Sequence, residues 1–131
     1  MKVDENARYI KTHEWARKEG DEVVIGITDY AQSTLSDIVY VELPEVGDDI
    51  TKSEQFGVVE SVKAAADIYA PMSGEVTAVN DGLEDAPELV NEDAFGNGWM
   101  IKIKPSDPDE WDKLLDTKGY ETAVEEEESE H

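Results

Sequence analysis

The 131-residue chain contains no cysteine. Disulfides, zinc–thiolate sites and thiol nucleophiles are therefore excluded, and any redox chemistry has to arrive on a cofactor. Long apolar runs are missing too. No segment approaches a membrane span, and the start of the chain has no signal-peptide pattern, so a cytoplasmic location is expected. Basic residues are few, 11 against 33 acids, for a net charge of −22. Such a surface repels nucleic-acid backbones and anionic membranes, and neither is expected as a partner. No nucleophile–base set and no metal-ligand spacing stands out, which argues against an enzyme and against a metal centre.

The excess acid has two readings. An acidic face would steer the protein to basic docking surfaces on partners. Acids spread over the whole surface instead suit a cytoplasm of very high salt, where screening shortens to about 3 Å at roughly 1 M ionic strength. Here the acids occupy every segment of the chain, which favours the second reading. The expected result is a melting temperature that climbs from dilute buffer to molar salt; a level one would contradict it.

What the sequence does have is many short strand-like runs separated by Gly and Pro turns, which predicts a mainly β domain over residues 1–120. Tyr9-Ile10 reads as a strand, Arg17 to Asp21 as a charged turn, and Val23, Ile25 and Ile27 as one apolar face of the next strand. Thr28 or Asp29 caps a short helix, Tyr30 to Leu35. Ile38 to Leu43 is apolar on both faces, as in a buried strand, and Pro44 ends it. Val76 and Ala78 share a strand face, Glu84 to Val90 allows one or two helical turns around Pro87, and Trp99, Ile101 and Ile103 alternate in a last strand. Asp107, Pro108 and Glu110 form a capping-box arrangement before an apolar stripe of Trp111, Leu114 and Leu115, predicting a helix. From Glu121 to His131 the chain is strongly acidic, six of eleven residues including the run Glu125 to Glu128, and a frayed tail is expected.

The stretch around which the rest is arranged runs from Gly57 to Pro71. Two β-type runs, Phe56 to Glu60 and Ile68 to Ala70, flank Lys63, whose neighbours are small and uncharged. An isolated Lys-Ala-Ala would read as a solvated turn. Here Val46-Gly47-Asp48-Asp49-Ile50 before it and Ala70-Pro71-Met72-Ser73-Gly74-Glu75-Val76 after it share one grammar, turn into strand, like two pseudo-symmetric units joined at the lysine. The setting is that of an amine held out on a hairpin as the attachment point of a covalent cofactor.

Glu60-Ser61-Val62-Lys63-Ala64, with Ala70-Pro71 and Gly74-Glu75-Val76 behind it, resembles the lipoyl-lysine region of the glycine cleavage system H-protein family. The resemblance extends to Tyr9 with Thr12-His13-Glu14-Trp15, to Gly26 through Gln32, to Asp37 through Pro44, and to Gly98 through Pro105. It implies a flattened barrel or sandwich of two antiparallel sheets (a barrel-sandwich hybrid) with short helices, one near the C-terminus, and the lysine at a hairpin tip. It implies lipoate in amide linkage on Lys63. It also implies a monomeric, non-catalytic carrier that shuttles an aminomethyl group from glycine decarboxylase (P protein) to aminomethyltransferase (T protein), with reoxidation by dihydrolipoamide dehydrogenase (L protein). A lipoate ligase or transferase is implied as the modifying enzyme.

By the same resemblance, Thr12, Glu14 and Asp67 line a cleft for the loaded arm, with Thr12 retaining the hydroxyl of the serine common there. Glu60, three residues before the lysine, is a candidate for reading by the lipoylating enzyme, although a plain strand-end acid fits equally well. His13 reads as a packed or turn residue. Biotin carriers share the half-repeat plan, but their attachment lysine usually lies between methionines, whereas Val62 and Ala64 stand here. An H-like protein that relays lipoyl groups to other complexes, and an acidic interaction module with a bare lysine, are the remaining alternatives.

Overall fold

The computed structural model describes residues 1–129, so Glu130 and His131, the end of the expected acidic tail, lie outside the described residues. Among the described residues, nine strands form two antiparallel sheets. Ala7–Tyr9 (β1), Glu14–Glu19 (β2), Glu22–Ile27 (β3), Asp49–Ile50 (β5), Gly74–Val79 (β8) and Ile101–Pro105 (β9) make one, in the order β1-β2-β3-β9-β8-β5. Ile38–Glu42 (β4), Gln55–Ser61 (β6) and Ala65–Tyr69 (β7) make the other, with β6 in the middle. The short helices are Asp29–Leu35 (α1), Gly82–Asp85 (α2), Leu89–Glu92 (α3) and Thr117–Ser129 (α4). Among the described residues no helix is long and apolar enough to cross a membrane.

The alternating residues Val23, Ile25, Ile27, Val76, Ile101 and Ile103 from the larger sheet meet Ile38, Val41, Val59 and Ile68 from the smaller one in the main core. A second cluster packs Tyr9, Trp15 and Val24 under Tyr120 and Val124 of α4. The two matching turn-into-strand segments on either side of the lysine pair with each other: β5 meets β8 with Asp49 opposite Glu75 and Ile50 opposite Gly74. The pairing needs its glycines. Gly47 turns the chain at φ +98°, a conformation a side chain resists, and a Cβ on Gly74 would stand 2.4 Å from the Lys104 carbonyl oxygen.

Several local expectations are corrected. Arg17–Glu19 continue β2, and the turn is confined to Gly20-Asp21, because Arg17 is anchored by Asp4 at 2.8 Å and by the Phe95 carbonyl at 2.7 Å. Strand β4 is not buried on both faces. It is a sheet edge, bulged between Ile38 and Tyr40, with Val39 and Tyr40 half exposed. A second bulge, between Val76 and Ala78, breaks the face they were expected to share.

The Asp107 cap is present, accepting from the Asp109 N–H, but the segment is a 3-10 turn, Pro108–Lys113. Glu110 does not close a capping box. Its carboxylate reaches across to Ser73, accepting from the backbone N–H at 2.8 Å and the hydroxyl at 3.2 Å. Leu115 is drawn into a bridge with Tyr9, which ends the helical stripe.

Instead of fraying at Glu121, the chain stays helical to Ser129. Thr117, Tyr120, Val124 and Glu127 recur at helical spacing on one face. Tyr120 stacks on Tyr9 with ring centroids 4.5 Å apart. Its hydroxyl lies 2.7 Å from the Thr28 hydroxyl and 2.8 Å from His13 Nδ1, while His13 Nε2 lies 3.0 Å from Glu127. Both ring nitrogens of His13 are thus engaged, one by Tyr120 and the other by Glu127. Burial pushes the Tyr120 hydroxyl pKa well up, so it stays protonated. His13 is thus a packed residue at a left-handed turn, φ +79°.

Candidate functional site

Lys63 lies in the three-residue loop between β6 and β7, whose register ends at Glu60 opposite Ala65. Ser61 clamps the loop. Its N–H donates to the Ala64 carbonyl at 2.8 Å, and its hydroxyl oxygen accepts from the Lys63 and Ala64 N–H groups at 3.1 and 3.0 Å. The Val62 N–H donates to the Asp37 carbonyl at 3.0 Å, tying the tip to the start of β4. The backbone is therefore held while the lysine side chain is exposed. Nζ touches the Thr34 carbonyl, 3.3 Å away, in the last turn of α1, where the helix dipole favours a cation. On its C-terminal side the lysine is followed by small residues, Ala64 and Ala65.

Strand alternation places Tyr40, Glu60, Ala65, Asp67 and Tyr69 on the outward face of the smaller sheet, since Val41, Val59, Ala66 and Ile68 pack inward. Following that face down β7 from the loop leads, after about 13 Å of strand at roughly 3.3 Å per residue, to Tyr69. Beside Tyr69 is a cleft of about 270 Å³ lined also by Ile10, Lys11, Thr12 and Ser53. Glu14 sits beneath it, 2 % exposed. One carboxylate oxygen accepts from the Thr12 hydroxyl, and the other from the Tyr69 N–H at 3.2 Å. A larger depression of about 590 Å³, between β4 and α2, contains none of these residues.

Thr12 and Glu14 are thus brought together. Asp67 is exposed two residues up the strand, its carboxylate accepting from Gln55 Nε2 at 3.0 Å rather than joining them. Glu60 is exposed in the row Tyr40–Glu60–Ala65, immediately under the loop. Reasoning from sequence missed Ser61 as the clamp, Thr34 as the lysine's contact, and Tyr69 as the strand-to-cleft connection. Only Ser61 had a local signal, a hydroxyl residue two before the lysine at the end of a strand-like run.

Burial lifts the Glu14 carboxyl from about 4.5 to about 7, against the lowering effect of its bonds from Thr12 and Tyr69. The folded protein therefore holds a proton that the unfolded chain releases near pH 4.5. This contribution is complete below that value, is lost as pH rises through 7, and costs about 3 kcal/mol once Glu14 is ionised. Glu14→Gln should remove that slope. Denaturant unfolding at pH 5 and pH 8 is expected to show the wild type losing about 2 kcal/mol more than the variant. Equal losses would mean the carboxyl titrates normally.

A rigid two-sheet scaffold holding one accessible amine on a clamped hairpin, with a polar-floored cleft along the same face, defines a carrier domain for a covalently attached arm. The glycine cleavage H-protein family model matches residues 7–127. The glycine cleavage system H protein of Anaeromyxobacter sp. (strain K) is 55 % identical over 128 residues, 98 % of this chain and all of that protein. That of a Thermus thermophilus strain is 55 % identical over 127 residues, 97 % of this chain and 99 % of that one. The crystal structure of a glycine cleavage system H protein from Mycobacterium marinum superposes with a TM-score of 0.86 at 34 % identity, covering 93 % of this chain and 98 % of that one. The chain belongs to the glycine cleavage H-protein family.

Proposed function

We propose that Lys63 carries lipoate as an amide, and that the loaded arm delivers an aminomethyl group from glycine decarboxylase to an aminomethyltransferase before reoxidation by a dihydrolipoamide dehydrogenase. The chain is a lipoyl carrier of the glycine cleavage system and not an enzyme, as its family membership entails. It works in the cytoplasm, and a lipoate ligase or transferase loads it. The observation that carries the reading is the exposed Lys63 amine on a backbone fixed by Ser61 and Asp37, within a family match spanning residues 7–127.

The residues fit the group. An amide at Nζ still has an N–H to donate to Thr34, the flanking alanines leave room for an acyl chain, and the cleft lies within the sweep of a side chain doubled in length. Lipoate would supply a dithiolane: a carbon nucleophile attacking one sulfur would break the S–S bond, leaving the cargo on that sulfur and a thiol on the other, and the dithiol left after unloading would be reoxidised by thiol–disulfide exchange. This chain's own part is confinement. The clamped loop keeps the arm near whichever partner has docked, raising its local concentration. The cleft over Thr12, Glu14 and Tyr69 shelters the cargo from water.

The cargo's amine, when protonated, is a cation. Glu14, half ionised near pH 7 and already accepting from Thr12, attracts it, and Asp67 adds a second carboxylate along the path. In a mixture of the three partner enzymes with lipoylated carrier, Glu14→Ala should leave the first transfer to the arm intact. It should shorten the lifetime of the loaded arm in water by about tenfold, read by intact mass against time. A loaded arm of unchanged lifetime would remove Glu14 from this role.

A further inference from the structure

The exposed large hydrophobic side chains of the described residues are not scattered: Val39 at 52 %, Tyr40 at 50 % and Val62 at 69 % surround the lysine loop, while Met1 and Val46 lie elsewhere in the sequence. Their exposure is built in. The bulge between Ile38 and Tyr40 interrupts alternation in β4, so two successive residues, Val39 and Tyr40, face water where one would otherwise point inward. The Val62–Asp37 backbone bond places the loop against the start of the same strand. Tyr40 stands directly opposite Glu60, and β4 is an edge strand of its sheet. Exposed Asp37, Glu42 and Glu60 neighbour the patch in sequence or strand register, and Lys63 follows Val62 in the loop.

We propose that Val39, Tyr40 and Val62 form the landing patch for the enzyme that acylates Lys63, and that this enzyme presents an apolar surface edged with basic side chains. The inference rests on the proposed lipoylation of Lys63. Reach selects the occupant. The acylating enzyme must bring an activated lipoyl group to Nζ itself, so its surface has to cover the ground within one lysine stem of the loop. Enzymes that act later meet the dithiolane at the far end of a longer arm and can stand off. In the step, the deprotonated Nζ attacks the acyl carbon of the lipoyl adenylate made from lipoate and ATP, the C–N bond forms, the acyl–phosphate bond breaks with AMP leaving on its electron pair, and one amine proton is released. Removing that positive charge leaves the patch purely acidic and apolar. An enzyme that docks through basic groups next to a protonated lysine meets a repulsion that the product no longer imposes, so docking must draw on the apolar contacts.

The test uses the full-length unlipoylated protein, a lipoate ligase, ATP and lipoate, with acylation of Lys63 followed by intact mass. Val39→Ser and Tyr40→Ser should each lower kcat/KM for the carrier by about tenfold, chiefly through KM. Val46→Ser, equally exposed but outside the patch, should stay within about twofold. Tyr40→Ser driven to full lipoylation should then support reconstituted glycine decarboxylation at the wild-type rate. Unchanged acylation kinetics in the patch variants would overturn the proposal. So would a fully lipoylated Tyr40→Ser carrier that fails in decarboxylation, since the patch would then belong to a later partner. If Tyr40→Ser loses its melting transition, Val62→Ser, in the loop and outside the sheet, is held to the same outcomes. A wild-type chain that takes up no lipoate at Lys63 would instead sink the function on which the proposal rests.

Discussion

Replacing Lys63 with arginine is expected to abolish carrier function while leaving the fold untouched. Arginine keeps the charge, nearly the length and a donor for the Thr34 carbonyl, but its guanidinium stays protonated and is not an acylatable amine. The loop is held by Ser61 and Asp37 through backbone and hydroxyl bonds that do not involve the lysine side chain beyond its own N–H. Stability should therefore move by no more than about 0.5 kcal/mol, as for an exposed surface substitution. Glycine decarboxylation, reconstituted with the partner enzymes and a lipoate ligase, should fall to the rate seen with no carrier added. Full activity from the arginine variant would mean that another site carries the arm.

The largest structural effect is expected from Tyr120→Ala. Helix α4 has little to recommend it alone. Glu125 through Glu128 repel one another and stand near the helix C-terminus, where the dipole disfavours negative charge. What holds it is docking: Tyr120 is fully buried against Tyr9, Val124 is buried beside it, and the tyrosine hydroxyl connects Thr28 to His13. Truncating that ring should cost about 3–5 kcal/mol and lower the melting temperature by roughly 10 °C or more. Tyr120→Phe keeps the ring but strips a hydrogen-bond partner from Thr28 and His13, for about 1–3 kcal/mol. Amide exchange over 117–129 should approach that of an unfolded segment in the alanine variant. Protection retained there would show that α4 is held by other contacts. His13 lies between Thr12 and Glu14, so loss of α4 should also loosen the floor of the cleft.

The parts of this protein that were legible in the sequence are those with local causes. Val23, Ile25 and Ile27 alternate, Thr28 caps α1 through the Ala31 N–H, and the matched segments around Lys63 fold into strands that pair with each other. The two-sheet sandwich itself, with Lys63 at the tip of a hairpin, was implied by the resemblance. Lys63 stands out as a candidate because its setting is a pattern of neighbours in sequence.

What was not legible depends on partners far along the chain. Glu110 looks like a capping-box residue until Ser73 is found beside it. Ile38 to Leu43 looks buried on both faces because a sheet edge and a bulge leave no mark on hydrophobicity. The acidic end looks unfit for order by its charge alone, yet Tyr120 and Val124, at helical spacing, bury against the sheet. Glu14 was nameable through the family resemblance. Its raised titration comes from burial, partly offset by bonds from Thr12 and the Tyr69 N–H, a setting that only the fold brings together.

The central claim is that Lys63 is the modified residue and that lipoate is the modification. Intact-mass and peptide-mapping mass spectrometry of the protein isolated from its own cells, grown on glycine, tests it most directly. The account predicts a lipoyl amide on the peptide containing Lys63 and on no other lysine. A bare Lys63 in cells that are breaking down glycine, or biotin in its place, would contradict it.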